Sequence, residues 1–284
     1  MNDSNGIAKI SVDDARCVRC GACVRDCLAH ILVLPKSGES AKTIAGGEAS
    51  CFKCRHCLAI CPTGALSWRD ETPEDCAPLE PLPAPELVEN LLRNRRSVRS
   101  YRRENVAPDI LRRLREATRY SPTGCNDRGL FFAYSDDVAT TDAFRAKTAE
   151  YMIRRLADKT LPDSIQRFAT FVPQIRAGVD VFFRTAPHFV TIACAPEARD
   201  AHIDPYIAAA QFELLANSFG LGTCWAGLPT DLFRAAPELS KALNIPDAFE
   251  IKIVLLFGTP DVKYARAPKQ EPYPFAIVDS TKLS

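Results

Sequence analysis

Two cysteine runs of identical spacing constrain this chain more than any other feature of its sequence. Each follows the pattern C-x2-C-x2-C-x3-C, once over residues 17–27 and once over residues 51–61. In such a run three closely spaced thiolates wrap around one [4Fe–4S] cluster, and the fourth cysteine reaches the other cluster. The spacing therefore predicts two sites. Cluster site one comprises Cys17, Cys20, Cys23 and Cys61. Cluster site two comprises Cys51, Cys54, Cys57 and Cys27.

The alternative interpretation of these runs is a pair of zinc knuckles, which also use C-x2-C spacing. Zinc takes four ligands per site and does not require three cysteines in successive C-x2-C steps. Disulfides are disfavoured because eight of the twelve cysteines fall within residues 17–61, a clustering typical of metal ligands. The other four are predicted to be packing residues or idle thiols: Cys76, Cys125, Cys194 and Cys224.

The bulk properties of the chain exclude several functional classes. Its 284 residues are enough for two domains, and its 36 basic residues nearly cancel its 35 acidic ones. A nucleic-acid or membrane-surface protein usually carries a large positive excess, so neither partner is expected. The first ten residues lack a signal-peptide pattern, and no apolar stretch approaches the ~20 residues that span a bilayer. The sequence predicts a cytoplasmic protein.

A proline-rich stretch divides the chain. Five prolines lie between residues 73 and 85, and proline fixes φ and removes an N–H donor, so residues 71–85 are predicted to form a semi-rigid linker. This places a two-cluster domain at 1–70 and a second domain at 86–284.

Hydrophobic periodicity in the second domain predicts more helices than strands, without regular alternation. Helices are predicted at 85–92, 110–117, 141–184 and 206–219. Strands are predicted at 131–134, 189–194 and 251–257, with the last one central in the sheet. Asp204 is predicted to cap the fourth helix and Gly220 to end it. That helix is apolar on most sides and is predicted to be deeply buried. The predicted fold class is α+β.

Six arginines crowd one short stretch of an otherwise neutral chain, at positions 93, 95, 96, 99, 102 and 103. A solvated helix face is the plainest interpretation, and a nucleic-acid patch is another, weakened by the overall charge. The third interpretation is a phosphate clamp, because guanidinium groups bind phosphate oxygens bidentately and Ser97 can add a hydroxyl donor.

The segment RRSVRSY, residues 95–101, resembles the RRSxRxF opening of the nitroreductase family, whose members bind FMN at a homodimer interface. Three more segments are similar to family motifs in the same order: 121–126 to the P-S-x-x-N turn, 219–227 to GLGxCWxG, and 257–260 to the closing iGyP element. This resemblance implies an FMN-binding α+β sandwich. It assigns phosphate contacts to Arg95, Arg96, Ser97 and Arg99. It assigns further FMN contacts to Pro122, Thr123, Gly124, Asn126, Arg128, Trp225, Ala226, Gly227, Arg266 and Lys269.

Two departures from the resembled families bear on the cofactors. The first domain resembles two-cluster ferredoxins, including CPTGAL at 61–66, but has Leu28 where the first run usually has proline. Arg128 stands where the nitroreductase family commonly has glutamine. An arginine near the N1 edge would stabilise an anionic reduced flavin and raise its potential. A redox role for Cys224 beside the flavin is a minor alternative to packing.

These parts predict an iron–sulfur flavoprotein oxidoreductase. Two [4Fe–4S] clusters would pass electrons singly to FMN, which would reduce a nitro group, quinone or activated alkene by hydride transfer. The family's exchange chemistry needs no dedicated acid–base side chain, so no catalytic residue is assigned. An external ferredoxin or other redox protein is a possible partner.

Two alternatives stay open at the level of sequence. FMN could be reduced by NAD(P)H, with the clusters passing electrons to a partner protein as an electron-transfer module. A reductive dehalogenase-like or flavin-consuming relative on the same fold is a further alternative, since fold does not fix function.

Overall fold

The computed structural model describes residues 9–36 and 38–278. In the first region, β1 (Ile10–Val12) leads to the first cysteine run and α1 (Ala22–Asp26), and then to β2 (Leu32–Val33) and β3 (Lys42–Thr43). The second run is followed by α2 (His56–Ala59) and β4 (Leu66–Trp68). β1 pairs with β4 and β2 pairs with β3, both antiparallel. A small core of Cys23, Ile31, Leu32, Ala41 and Leu66 lies between them.

The second region begins with two helices that start at prolines, α3 (Pro85–Asn94) and α4 (Pro108–Ala117). The remaining elements, in chain order, are β5 (Leu130–Tyr134), α5 (Val138–Ala157), α6 (Val172–Arg176), β6 (His188–Cys194), α7 (Asp204–Ser218), β7 (Gly222–Trp225), α8 (Gly227–Ala235), α9 (Pro237–Ser240) and β8 (Glu250–Gly258). Strands β5 to β8 form one antiparallel sheet in the order β5-β6-β8-β7.

The sheet is buried on both faces, which explains why β6 and β8 read as nearly continuous apolar runs. On one face Phe189, Val254 and Leu256 pack with residues of α5, α6 and α8. On the other face Ile192 and Leu255 pack with residues of α4 and α7. Successive residues of a strand point to opposite faces, so each core receives alternate side chains. The predicted α+β class and the central position of β8 are confirmed.

Two sequence-based expectations for the helices are wrong. The predicted helix over 141–184 is broken: α5 ends at Ala157, a 3₁₀ stretch covers Asp163–Phe171, and α6 ends at Arg176. Pro162 and Pro173 interrupt the hydrogen-bond ladder there, and Gly178, at φ +82°, follows the last helical turn. Asp204 does not cap α7 with its side chain, because its carboxylate accepts a hydrogen bond from the Gly124 N–H instead.

One expectation for α7 is met in part. Gly220 follows the helix at φ +77°, as a C-terminal stop requires. The helix was predicted to be deeply buried, but Tyr206 and Ile207 stay about 40% exposed. No helix within the described residues is long and apolar enough to cross a membrane.

His188 ties β6 to two neighbouring segments. Its ring is fully buried, Nδ1–H donates to the Ser135 carbonyl at 3.0 Å, and Nε2 accepts from the Val106 N–H at 3.0 Å. A proton on Nε2 would place two donors face to face, so this geometry requires the neutral ring. Burial accordingly lowers the pKa of His188 below its ordinary value.

Acidification is therefore expected to destabilise the fold through His188. As the pH falls, the unfolded chain takes up a proton on His188 near pH ~6.5, and the native state does so only at lower pH. The free energy of unfolding therefore decreases below pH ~6.5, by at most about 1.4 kcal/mol per pH unit. Denaturant unfolding near neutral pH and about two units lower would measure the loss in the native protein and in His188→Gln. We expect the variant to lose less stability, and an equal loss would contradict the assignment.

Candidate functional site

The structure brings the eight clustered cysteines into two separate cavities. One cavity is lined by the four cysteines of cluster site one, together with residues such as Val18, Leu34 and Thr63. The other is lined by the four cysteines of cluster site two, together with residues such as Leu28, Phe52 and Trp68. In each cavity the fourth cysteine comes from the opposite run, which is the crossed arrangement that the spacing predicts.

The backbone of the two runs adopts the same conformation. Arg19 and Gly21 in the first run, and Lys53 and Arg55 in the second, all have φ between +57° and +69°. Left-handed residues turn successive N–H groups inward, an arrangement that suits anionic sulfur. The N–H of Lys53 lies 3.3 Å from Cys51 Sγ, and the N–H of Ala65 lies 3.2 Å from Cys61 Sγ.

The surroundings of the thiols fit a positively charged iron centre. Burial and the neighbouring thiols raise the pKa of Cys57 to about 11, and a bound iron centre would favour its thiolate form. Burial also raises the pKa of Cys61, but the backbone N–H groups of Ala65 and Thr63 outweigh it, and the net pKa is lowered. Within residues 9–36 and 38–278, no three His, Cys, Asp or Glu side chains are placed to hold a single metal ion.

A buried donor completes the lining of cluster site two. Trp68 Nε1 is buried and has no hydrogen-bond partner among the described residues, although its ring borders the cavity. The guanidinium groups of Arg55 and Arg69 lie 4.5 and 4.8 Å from the centre of the same ring. Sulfur atoms of a cluster accept N–H bonds, and such bonds tune the cluster's potential. The residues of both sites therefore fit [4Fe–4S] clusters.

The arginine-rich segment is held against the sheet. Ser97 pairs with Thr223 of β7 as a parallel bridge, and the N–H of Val98 donates to the Thr223 carbonyl at 2.8 Å. On its other side, the N–H of Arg102 donates to the Thr259 carbonyl at 2.9 Å. A Cβ on Gly222 would lie 2.5 Å from Val98, so glycine allows this close approach. The segment is thus fixed between β7 and the chain that leaves β8.

The predicted phosphate-binding side chains lie in different environments. Arg95 pairs with the buried carboxylate of Glu213 at 3.4 Å. Arg96 donates to the main-chain carbonyls of residues 93 and 95, and Arg99 donates to the Ser97 carbonyl at 3.4 Å. In the described part of the chain, no carboxylate lies within salt-bridge distance of Arg96 or Arg99. Because no described carboxylate pairs with these two guanidinium groups, both can bind an anion.

The chain after β8 returns to the same segment. The hydroxyl of Tyr264 donates to the Ser97 carbonyl at 3.5 Å, and residues 265–278, which form no helix or strand, are exposed. Arg266 comes two residues later and Lys269 five residues later, and both are exposed.

Glu213 is a site residue that sequence reasoning missed. It is 5% exposed on α7, and its carboxylate accepts from Thr223 Oγ1 at 2.9 Å as well as from Arg95. Thr223 also accepts from the Asn217 amide at 3.0 Å. The available signal was an acidic residue in the middle of a mainly apolar helix, since a buried carboxylate needs such partners. Glu213 fixes the direction of Arg95.

The turn over residues 121–128 bridges the two halves of the chain. The N–H of Gly124 lies 3.1 Å from the Asp204 carboxylate, and the Asn126 side-chain amide donates to the second cysteine run, at the carbonyls of Phe52 and Lys53. Pro122 is exposed, and Thr123 Oγ1 accepts from the N–H of Arg128 at 3.1 Å. The Arg128 guanidinium donates to the Arg119 carbonyl.

The segment from Trp225 to Gly227 offers main-chain donors to a ligand. Trp225 stacks on Tyr206 of α7, with 6.4 Å between ring centres, and the N–H of Ala226 donates to Val254. No side chain caps α8, which begins at Gly227, and a Cβ on Gly227 would meet nothing within 4 Å. First-turn N–H groups of a helix lack partners within it. The open space lies beside these main-chain N–H donors. Together with the unpaired charges of Arg96 and Arg99, it fits FMN.

Two larger surface cavities do not involve the predicted FMN residues. Both lie along α5, one bordered by Arg103, Asp142 and Phe182, the other by Tyr151 and Glu238. Three of the predicted FMN residues, Arg99, Pro122 and Gly227, are exposed in a single copy of the chain.

Comparison with known families matches both regions of the chain. The nitroreductase family matches residues 92–259, and a 4Fe–4S dicluster domain matches residues 16–65. The methylamine utilization ferredoxin-type protein MauM of Methylorubrum extorquens is 45% identical over 58 residues, which are 18% of this chain and 26% of MauM. The chain therefore shares only about a quarter of that protein's length.

Solved structures resemble the second region. A nitroreductase with bound FMN from Bacteroides fragilis superposes with a TM-score of 0.56 at 19% identity, covering 69% of this chain and all of that one. A nitroreductase with bound FMN from Desulfitobacterium hafniense gives a TM-score of 0.54 at 19% identity, with the same coverage. At this identity the likeness shows a shared fold.

Proposed function

Because this chain belongs to the nitroreductase family and carries a 4Fe–4S dicluster domain before it, we propose that it is an FMN enzyme fed with electrons through two clusters. Electrons from a one-electron protein donor enter the cluster sites and leave as a hydride delivered to a small electron-poor acceptor. The acceptor class is a nitro group, quinone or activated alkene. When bound, FMN accepts electrons singly or in pairs, and so joins the two kinds of chemistry.

One observation carries this proposal: two four-cysteine cavities and a surface with unpaired arginines lie in the same chain. Cys17, Cys20, Cys23 and Cys61 would hold one cluster, and Cys27, Cys51, Cys54 and Cys57 the other. Arg96 and Arg99 would hold the phosphate of FMN, aided by Arg95, Ser97, Arg266 and Lys269. The main chain at Trp225–Gly227 would face the flavin ring.

A homodimer would close the open flavin surface. The apolar side chains of α3 point outward, with Leu87 and Leu92 more than half exposed, and Tyr206 and Ile207 are exposed on α7. Such faces need a partner. The turn at Pro122, Thr123 and Gly124 would then reach the flavin across the interface. All twelve cysteines are free thiols, which suits the reducing cytoplasm as the working compartment.

Anaerobic optical titration of the purified protein tests the direction of electron flow. We expect reduced ferredoxin to bleach both the cluster and the flavin absorbance, and NADH or NADPH alone to leave the clusters oxidised. Bleaching of the flavin by a pyridine nucleotide before any change in the clusters would instead favour the electron-transfer module, in which the clusters export electrons. A protein without any flavin absorbance after reconstitution with FMN would overturn the proposal.

A further inference from the structure

The side chain of Asn126 joins the predicted flavin region to one cluster site and not to the other. Its Nδ2 lies 3.2 Å from the Phe52 carbonyl and 3.0 Å from the Lys53 carbonyl. Both carbonyls lie between Cys51 and Cys54, and Phe52 itself borders the cavity of cluster site two. The contact therefore reaches the loop that wraps the second cluster.

The turn that carries Asn126 is anchored on its far side. The N–H of Gly124 donates to the buried carboxylate of Asp204, at the start of α7. Cys125, Asn126 and Arg128 all have φ between +50° and +61°, a conformation that non-glycine residues adopt only when their surroundings impose it. The turn therefore connects the start of α7 to the loop between Cys51 and Cys54.

Cluster site one has no comparable link. The two cavities themselves are both bordered by first-domain residues, so the difference lies in the hydrogen bonds of the loops around them. Within the described residues, the hydrogen bonds of the site-one lining lead to neighbours in the first domain, such as Thr63 Oγ1 to the Arg16 carbonyl at 2.7 Å and Arg25 to the Cys20 carbonyl at 2.9 Å. These bonds hold the loop of site one within the first domain.

The contact also limits what Asn126 can offer a flavin. A side-chain amide has two N–H donors, and here each faces a carbonyl of the cluster loop. Only Oδ1, an acceptor, is left for a cofactor. The residue that the family resemblance assigns to flavin binding is used here to hold a cluster loop.

We propose that cluster site two exchanges electrons with the flavin, that cluster site one receives them from the external donor, and that Asn126 is the positioning residue of the inner step. This rests on the proposed function. Each inner transfer oxidises the site-two cluster by one electron, and two transfers with one proton from water convert FMN to its two-electron-reduced anion. A reduced ferredoxin-class donor restores both electrons through site one.

The variant Asn126→Asp tests the proposal, because it keeps the shape of the side chain and removes both donors. Asn105→Asp is the matched control, since it makes the same amide-to-carboxylate change at an exposed residue outside both cavities and keeps the oxygen that accepts from the Val138 N–H. In stopped-flow reduction of the full holoenzyme by a one-electron donor, we expect flavin reduction to slow about tenfold or more in Asn126→Asp, because small displacements of reacting groups have large effects on rate. Asn105→Asp should stay within about twofold of the native rate.

Two further measurements distinguish a failure of the Asn126 contact from a failure of the proposed function. Hydrogen exchange at residues 52–55 should rise in Asn126→Asp and in Asn126→Ala with or without FMN. The paramagnetic signal of site two, assigned with Cys20→Ala and Cys54→Ala, should change while that of site one does not. If exchange and signal change but no donor reduces the flavin through the clusters, the contact stands and the proposed function fails. Unchanged exchange in both Asn126 variants, or equal slowing in Asn126→Asp and Asn105→Asp, would overturn the inference.

Discussion

Replacing Cys20 and Cys54 together by alanine is expected to abolish turnover with a one-electron protein donor while FMN stays bound. Each substitution removes one of four thiolates from a different cavity. Loss of even an outer-shell partner of a metal ligand costs about 10- to 100-fold, so the loss of a ligand from both sites should exceed about 100-fold. Steady-state assays with reduced ferredoxin and a nitroaromatic or quinone acceptor measure the effect.

Cys76→Ala is the matched control for this experiment. Cys76 is an exposed thiol outside both cavities, so its loss should leave iron content and turnover unchanged. The bound FMN of the double variant should still be reduced by a small chemical reductant, which shows that the second domain is folded. Full turnover with reduced ferredoxin in the double variant would contradict the cluster relay.

Loss of the two unpaired arginines should have the second largest effect, on FMN affinity. In Arg96→Gln/Arg99→Gln two charge-assisted hydrogen bonds to phosphate disappear, each contributing about 1.5–3 kcal/mol. Together they correspond to an increase in Kd of about 10²- to 10⁴-fold. Fluorescence titration of the flavin-free protein with FMN measures this change.

The control for the arginine experiment is Arg93→Gln. Arg93 lies in the last turn of α3, and its side chain is exposed and outside the predicted clamp. Its substitution should change the Kd by less than about threefold, the size expected of a distant surface charge. Cluster absorbance should be unaffected in both proteins. Equal weakening in the two variants would point to general electrostatic attraction and not to a phosphate clamp.

Local sequence patterns predicted the elements whose structure depends mainly on neighbouring residues. The four thiols that line each cavity are the four that the cysteine spacing predicted, because the geometry of each loop depends on only a few neighbouring residues. Strands β6 and β8 were found to within one residue at each end, because burial on both faces leaves a continuous apolar run. The domain boundaries at residues 70 and 86, and the FMN contacts, stay predictions.

What the sequence could not provide depends on contacts between distant segments. Asp204 has the local sequence signature of a helix cap, but its carboxylate accepts a hydrogen bond from the N–H of Gly124, which lies 80 positions away. Asn126 matches a flavin-contact motif, yet its amide faces carbonyls 73 and 74 residues earlier. Neither partner is visible in a local window, because Gly124 meets Asp204 only when the second domain folds, and Asn126 meets residues 52 and 53 only when the two domains pack together.

The left-handed residues of the cysteine runs have a consequence for biogenesis. Arg19, Lys53 and Arg55 carry side chains in a backbone conformation that costs about 1–2 kcal/mol per residue. A first domain with a core of five buried side chains has little to offset that cost until iron and sulfide are inserted. The amount of folded first domain should therefore follow the cell's iron supply, whereas the doubly buried sheet of the second domain can form without it.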